Sequence, residues 1–108
     1  MPRKRPADAL ERAWLDLVHR VPCVLCAHLG LSQPCGPTEA HHVHEGVGLS
    51  QRASHFRVAA LGRYHHQDKF NGVAMGTKAF YRRYRIEELD LVDMTVRAVF
   101  ELLQRRKY

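Results

Sequence analysis

Three segments decide the fold: Thr38-Glu39-Ala40-His41-His42-Val43-His44, then Phe56-Arg57-Val58-Ala59-Ala60-Leu61, then Arg63-Tyr64-His65-His66-Gln67-Asp68-Lys69-Phe70. The first two read as short strands. The run between them, Gly46-Val47-Gly48-Leu49-Ser50-Gln51-Arg52, reads as an irregular loop. Gly62 turns the chain into the third segment, which starts a short helix that Asn71-Gly72 breaks. Strand, loop, strand and helix form a hairpin packed on a helix, which brings His41-His42-x-His44 to His65-His66. Neighbouring side chains on a strand point to opposite faces, so His41 and His42 cannot do the same job. Six of the 8 histidines lie between positions 41 and 66, and two adjacent pairs in so short a span are poorly explained as scattered surface residues.

Upstream, Val21-Pro22-Cys23-Val24-Leu25-Cys26 reads as a short extended segment ending in Cys-x-x-Cys. That spacing is half of a four-ligand zinc site, and His65 downstream strengthens it. Cys35 and His28 are both available as a fourth ligand. The chain has 3 cysteines, which cannot complete a disulfide framework, so thiol ligation is the better use of them. Residues 27–38, with Gly30, Pro34, Gly36 and Pro37, read as loop. A first helix is expected from about Ala9 to His19. Asp8 is its N-cap, Glu11 completes a capping box, and Leu10, Trp14, Leu17 and Val18 share one face, with Trp14 in the core.

Downstream, Lys78 to Tyr84 reads as a short helix, and a long one runs from about Glu87 to Arg105. Its expected apolar stripe is Leu89, Val92, Val96, Val99, Phe100 and Leu103. Glu87, Glu88, Asp90 and Asp93 near its start, with Arg105, Arg106 and Lys107 near its end, follow the order that the helix dipole favours.

With 108 residues, 45% hydrophobic and 26% charged, the chain is expected to be one globular domain over residues 7–108 behind a flexible basic arm at 1–6. No run approaches the length of a membrane span, and no apolar stretch follows the basic start as in a signal peptide. A cytoplasmic protein of a bacterial host cell, without a membrane partner, is the expectation. The formal net charge of +6 points to a polyanion. Arg52, Arg57, Arg63, Lys69, Lys78, Arg82, Arg83 and Arg85 stand against Asp68 alone in residues 52–85, while five acids collect at 87–101. Tyr64, Tyr81 and Tyr84 are interleaved with these cations, a pattern suited to DNA. Backbone contacts through cations predict weak sequence preference and strong salt dependence.

The series Cys-x-x-Cys, Ala40-His41-His42-Val43, Gln51-Arg52-Ala53-Ser54-His55-Phe56 and Leu61-x-x-x-His65-His66 resembles the HNH (His-Me finger) endonuclease superfamily. It is most similar to the phage recombination-enhancement nuclease group, over roughly residues 10–100. The resemblance implies an α+β fold, a small zinc-stabilised ββα-metal core with flanking N- and C-terminal helices. It implies that His41 and His66 bind a catalytic divalent metal and that His42 is the general base. It also implies structural Zn2+ on Cys23, Cys26 and His65, with Cys35 as the candidate that completes the set. The chain departs from the group's pattern at four positions. Gly62 stands where the group usually has Cys, which takes a ligand from the zinc. Arg57 stands at the middle Asn, so Ser54 or His55 must orient the base. Met75 replaces a later His, and Phe70 stands where colicin-type nucleases carry another ligand.

The chemistry is legible in the residues themselves. A metal held by two imidazoles keeps positions open for water and phosphate oxygens, and Mg2+, Mn2+, Ni2+ or Zn2+ all suit such a site with water. A neutral His42 can accept a proton near pH 7. Arg57, Arg63 or Arg82 can add positive charge at the phosphate. By resemblance the products carry 5′-phosphate and 3′-hydroxyl ends. The expected activity is a low-specificity endonuclease of phage or prophage type. Arg52, Arg63, Lys69, Lys78, Arg82, Arg83 and Arg85 would contact DNA, and a recombinase filament or another host or phage protein is a further partner. The alternatives are a degenerate member that binds DNA or a host protein without cutting, as inhibitor or adaptor, and a plain zinc-stabilised interaction domain.

Overall fold

A computed structural model describes residues 6–31, 35–43 and 54–105. The arm at 1–5, His44, the glycine-rich run with Arg52, and Arg106 and Lys107 lie outside the described residues. The fold is α+β. The order is α1 (Ala9–Val18), α2 (Val24–Leu29), β1 (Thr38–His42), β2 (Val58–Gly62), α3 (Arg63–Gln67), a 3-10 turn at Val73–Met75, α4 (Thr77–Tyr84) and α5 (Glu88–Arg105).

α1 begins as its capping residues dictate. The Glu11 N–H donates to Asp8 Oδ1 at 2.8 Å, and the Asp8 N–H donates to Glu11 Oε1 at 3.1 Å. Of its expected face, Trp14, Leu17 and Val18 meet the core, and Leu10 does not. Leu10 is 75% exposed, whereas Glu11 and Val18 are buried, with Trp14 and Leu15 packed against the core. These four positions follow the i, i+3, i+4, i+7 rule, but a glutamate occupies the first of them. Trp14 joins the core as expected, and its Nε1 is sealed from solvent without a hydrogen bond.

The segment carrying Cys-x-x-Cys is helical rather than extended. Pro22 and two valines favour a strand locally, but Cys23 serves as N-cap of α2 and Gly30, at φ 71°, closes it in the left-handed conformation. The Leu31 N–H returns to the Cys26 carbonyl at 2.9 Å. One and a half turns put Cys23 and Cys26 three residues apart on one side.

β1 and β2 pair antiparallel, with His41 opposite Ala59 and His42 opposite Val58. β2 starts at Val58 rather than Phe56 and is buried throughout. Its Ala59 and Ala60 let α5 lie close against it. Thr95 of α5 takes the Ala60 N–H at 2.9 Å and donates its own hydroxyl to the Leu91 carbonyl at 2.8 Å. An outward amide of a two-stranded sheet is thereby satisfied inside the core. The buried stripe of α5 is accordingly Leu91, Thr95 and Val99, with Met94, Ala98 and Leu102 beside it. From the expected stripe, Leu89, Phe100 and Leu103 are exposed. Apolar residues on several faces of this helix make periodicity ambiguous, and the buried threonine hides the true face.

α3 ends at Gln67, before the expected Phe70. Asp68 Oδ1 accepts from the N–H groups of Phe70 and Asn71, which turns the chain out of the helix. Among the described residues, no helix is long and apolar enough to cross a membrane.

Candidate metal centre and histidine cluster

Four side chains from three segments meet at one point. Cys23 and Cys26 come from α2, Cys35 from the segment leading to β1, and His65 from α3. Their ligand atoms all lie within 4.8 Å of one another. The three sulfurs stand 3.5, 3.4 and 3.2 Å from His65 Nδ1, in the order Cys23, Cys26, Cys35. One imidazole nitrogen carries at most one proton, so three sulfurs converging on it are not three hydrogen bonds. A tetrahedral zinc with bonds of about 2.3 Å to sulfur and 2.0 Å to nitrogen sets S···N edges of roughly 3.5 Å. The donor set fits zinc in type, number and spacing. Burial pushes the Cys26 thiol up to about 12 and raises Cys35, while burial also lowers His65, with Arg83 assisting. The neutral imidazole is therefore favoured, ready to coordinate, and a cation that binds here must displace the protons of the Cys26 and Cys35 thiols.

Cys35 is the fourth member of the cluster, and His28 lies exposed on α2, outside it. The loss of a ligand expected from Gly62 is corrected by the same geometry. A Cβ at Gly62 would stand 2.5 Å from Cys35 Sγ and 2.6 Å from its Cβ. The thiol that the resembled group places at position 62 is here delivered into that space from position 35.

The second cluster lies on the hairpin. His41 and His66 approach edge to face, with ring centroids 5.1 Å apart. His41 Nε2 is 3.0 Å from Glu88 Oε2, and His66 Nδ1 is 2.8 Å from Glu39 Oε1. Each imidazole thus has one nitrogen held by a carboxylate. Carboxylates in this position fix the ring orientation of metal-binding histidines and raise their basicity. Glu39 is itself held by Arg63 Nε at 3.2 Å and Gln67 Nε2 at 2.8 Å. The hydrogen bond from His66 holds its carboxyl below the ordinary glutamate range, with Arg63 and Gln67 adding to the effect. Glu39 and Glu88 were not among the expected site residues. The sequence does place Glu39 two residues before His41, on the same strand face.

His42, on the other strand face, meets His55. Its Nε2 lies 2.9 Å from His55 Nδ1, and the rings are edge to face at 4.9 Å. Of the two residues expected to orient His42, His55 is the one in contact, while Ser54 Oγ accepts from the Phe56 N–H at 3.1 Å. The His55 N–H donates to Glu11 Oε2 at 3.0 Å, which explains why a glutamate occupies a core position of α1. Arg57 sits one residue before β2, and its carbonyl accepts from the Val43 N–H at 3.0 Å.

A cleft of about 710 Å³ opens beside His41. Lys78, Tyr81 and Arg82 of α4 line it, together with Glu87 and Glu88 at the start of α5. Two expected DNA contacts, Lys78 and Arg82, therefore stand next to the histidine pair. Others are already engaged: Arg63 with Glu39, Arg83 with the Phe70 carbonyl at 2.7 Å, and Arg85 over the Tyr81 ring. Tyr81 is exposed, but Tyr84 is structural. Its hydroxyl donates to the Asn71 carbonyl at 2.6 Å and its ring packs on Phe80. Phe70 is exposed and turned out of α3, and Met75 ends the 3-10 turn, half-buried against the core. No protein-family model, curated protein or solved structure matches the chain.

Proposed function

We propose that the chain is a metal-dependent HNH-type DNA endonuclease of phage or prophage type, cutting phosphodiester bonds with low sequence specificity. The observation that carries this reading is the pairing of His41 with His66, rings 5.1 Å apart, each backed by a carboxylate. The neighbouring His42–His55 pair supplies a base on the same strand. In this reading the hairpin and α3 are a ββα-metal core, and the Cys3His cluster is its structural zinc.

A divalent ion on His41 and His66 would polarise the phosphate and stabilise the departing 3′ oxygen. His42 takes the proton of the attacking water, and His55 holds its ring in place. Glu39 and Glu88 keep the His66 and His41 rings aimed. Lys78 and Arg82 draw the phosphate backbone into the cleft beside His41, and Arg57 or Arg82 adds charge as the phosphate gains it. None of these groups reads a base edge, which is the basis for low specificity.

The test is nicking of supercoiled plasmid by the purified protein and by His42→Ala, each with EDTA, Mg2+, Mn2+, Ni2+ or Zn2+. Nicking by the wild type alone, abolished by EDTA, supports the reading and names the ion. If neither protein nicks while both retard DNA in a salt-dependent way, a non-cutting DNA-binding protein replaces it.

A further inference from the structure

Phe70 is 80% exposed, more than any other large apolar side chain among the described residues. It is not at the tip of a loose loop. Asp68 Oδ1 accepts from the Phe70 N–H at 2.8 Å, the Asn71 N–H at 2.9 Å and Asn71 Nδ2 at 3.1 Å. Arg83 Nη1 donates to the Phe70 carbonyl at 2.7 Å, and the Gly72 N–H returns to the Asp68 carbonyl at 2.9 Å. The turn is anchored beneath as well, because Gly72 packs so closely on the backbone of α3 that a Cβ there would stand 2.5 Å from the His65 carbonyl oxygen. A rigid turn that presents a phenyl ring to water forgoes the hydrophobic gain of burying it. Such a ring is built to be covered by a partner.

The surroundings define that partner. Lys69 precedes Phe70, the Arg83 guanidinium sits at its carbonyl, and Tyr64, 48% exposed, lies six positions back on α3. The acid of this turn, Asp68, has its Oδ1 occupied within the turn. A protein groove would be met by a contiguous apolar patch. One projecting ring beside a cation instead suits a base stack, with Lys69 on a flanking phosphate. Phe70 follows His66 by four positions, so their Cα atoms lie within roughly 14 Å of each other. That is the span of about four stacked nucleotides at 3.4 Å each.

We propose that Phe70 is a stacking wedge that selects DNA with an unpaired or unstacked step within about four nucleotides of the phosphate facing His66. Flaps, gaps and junctions offer such a step, whereas an intact duplex must first be opened. The proposal rests on the DNA reading above but not on cleavage, and its test reads binding alone. Anisotropy titrations with the full chain compare forked, gapped and intact duplexes over a range of salt. Phe70→Ala is expected to weaken fork and gap binding roughly tenfold or more, to change duplex binding little and to leave the salt slope intact. Phe70→Trp is expected to restore tight binding, and Lys69→Ala to lower the salt slope by about one. A 2-aminopurine placed at the opened step should change its fluorescence with wild type but not with Phe70→Ala. Equal fork binding by wild type and a folded Phe70→Ala overturns the wedge and leaves the DNA reading standing. Wild type that binds none of the three DNAs overturns both.

Discussion

Cys35 Sγ occupies the space that a side chain on Gly62 would need, 2.5 Å from where its Cβ would stand. The backbone itself does not require glycine there, since Gly62 has φ −63°, open to any residue. The two positions are alternatives for one thiol. Gly62→Ala is expected to push Cys35 away from His65, with a loss of about 1–3 kcal/mol from overpacking and weaker zinc retention against a chelator. The double exchange Gly62→Cys with Cys35→Gly returns a thiol to the same place and should recover most of both. A melting curve and a zinc competition titration on the wild type and both variants decide it. Wild-type zinc affinity in Gly62→Ala would remove Cys35 from the ligand set.

This pair also shows where sequence reading stops. Cys-x-x-Cys and His65-His66 are local patterns, so the cluster's members were legible. The identity of the fourth ligand was not, because Cys35 reaches Gly62 across 27 positions and nothing local couples them. The hairpin, the capping box of α1 and the existence of every helix after β2 except the 3-10 turn were legible for the same reason. What misled was burial of polar groups. Glu11 and Thr95 sit in the core with long-range hydrogen bonds to His55 and Ala60, 44 and 35 residues away. Periodicity counts apolar residues and so passes over both. Glu39 and Glu88 escaped notice because carboxylates that aim imidazoles look like ordinary surface acids in a linear sequence.

The thiols predict a steep pH dependence for the zinc. Cys26 is pushed up to about 12 and Cys35 is raised, so both are protonated in the metal-free protein at neutral pH. Binding must release these protons, and affinity falls as pH falls. His65 is lowered below the ordinary histidine value, so its neutral form is favoured in the folded chain. A depressed pKa contributes stability that is full above the unfolded value of roughly 6.5 and is lost as pH drops toward the folded one. The expected result is proton release on zinc addition in weakly buffered solution, and loss of zinc on acidification starting below about pH 6.5. Cys26→Ser should lose zinc and unfold the domain, and an unchanged melting temperature would contradict the structural role.

Glu39 should matter to a metal on His66 without touching it. Glu39→Gln keeps the size and one acceptor but removes the charge that faces the imidazole. Outer carboxylates of this kind typically account for 10–100-fold in metal affinity or activity. The expectation is a loss of that order in divalent-ion binding, with the structural zinc retained. Because the carboxyl is held below its ordinary range, its contribution is present above roughly pH 4.3 and lost only on further acidification. Calorimetric titration with Mn2+ or Ni2+ at pH 7 measures the effect, and unchanged affinity would reduce Glu39 to a surface ion pair with Arg63.

Thr95 closes the edge of β2 from inside the core. Thr95→Val keeps the shape but removes the acceptor at 2.9 Å from the Ala60 N–H and leaves a buried backbone donor unpaired. The cost is expected to be about 1–3 kcal/mol in unfolding free energy. Urea titration of the zinc-loaded protein checks it. A stability within a few tenths of wild type would mean that the Ala60 amide finds another partner.

The two faces of β1 predict a division of labour that can be measured separately. His41 faces Glu88 and His66, whereas His42 faces His55. His41→Ala should therefore weaken divalent-ion binding, while His42→Ala should leave the ion in place and remove the base. General-base loss typically costs about 10²–10⁴ in rate. His55→Ala should fall between His42→Ala and wild type, because His42 survives but loses the contact at 2.9 Å that holds its ring. The His55 N–H also ties down buried Glu11, and a backbone donor is unaffected by the alanine, so the fold should persist. Metal titration and plasmid nicking on the same three variants separate the roles. If His42→Ala loses the ion along with activity, the assignments of His41 and His42 must be exchanged.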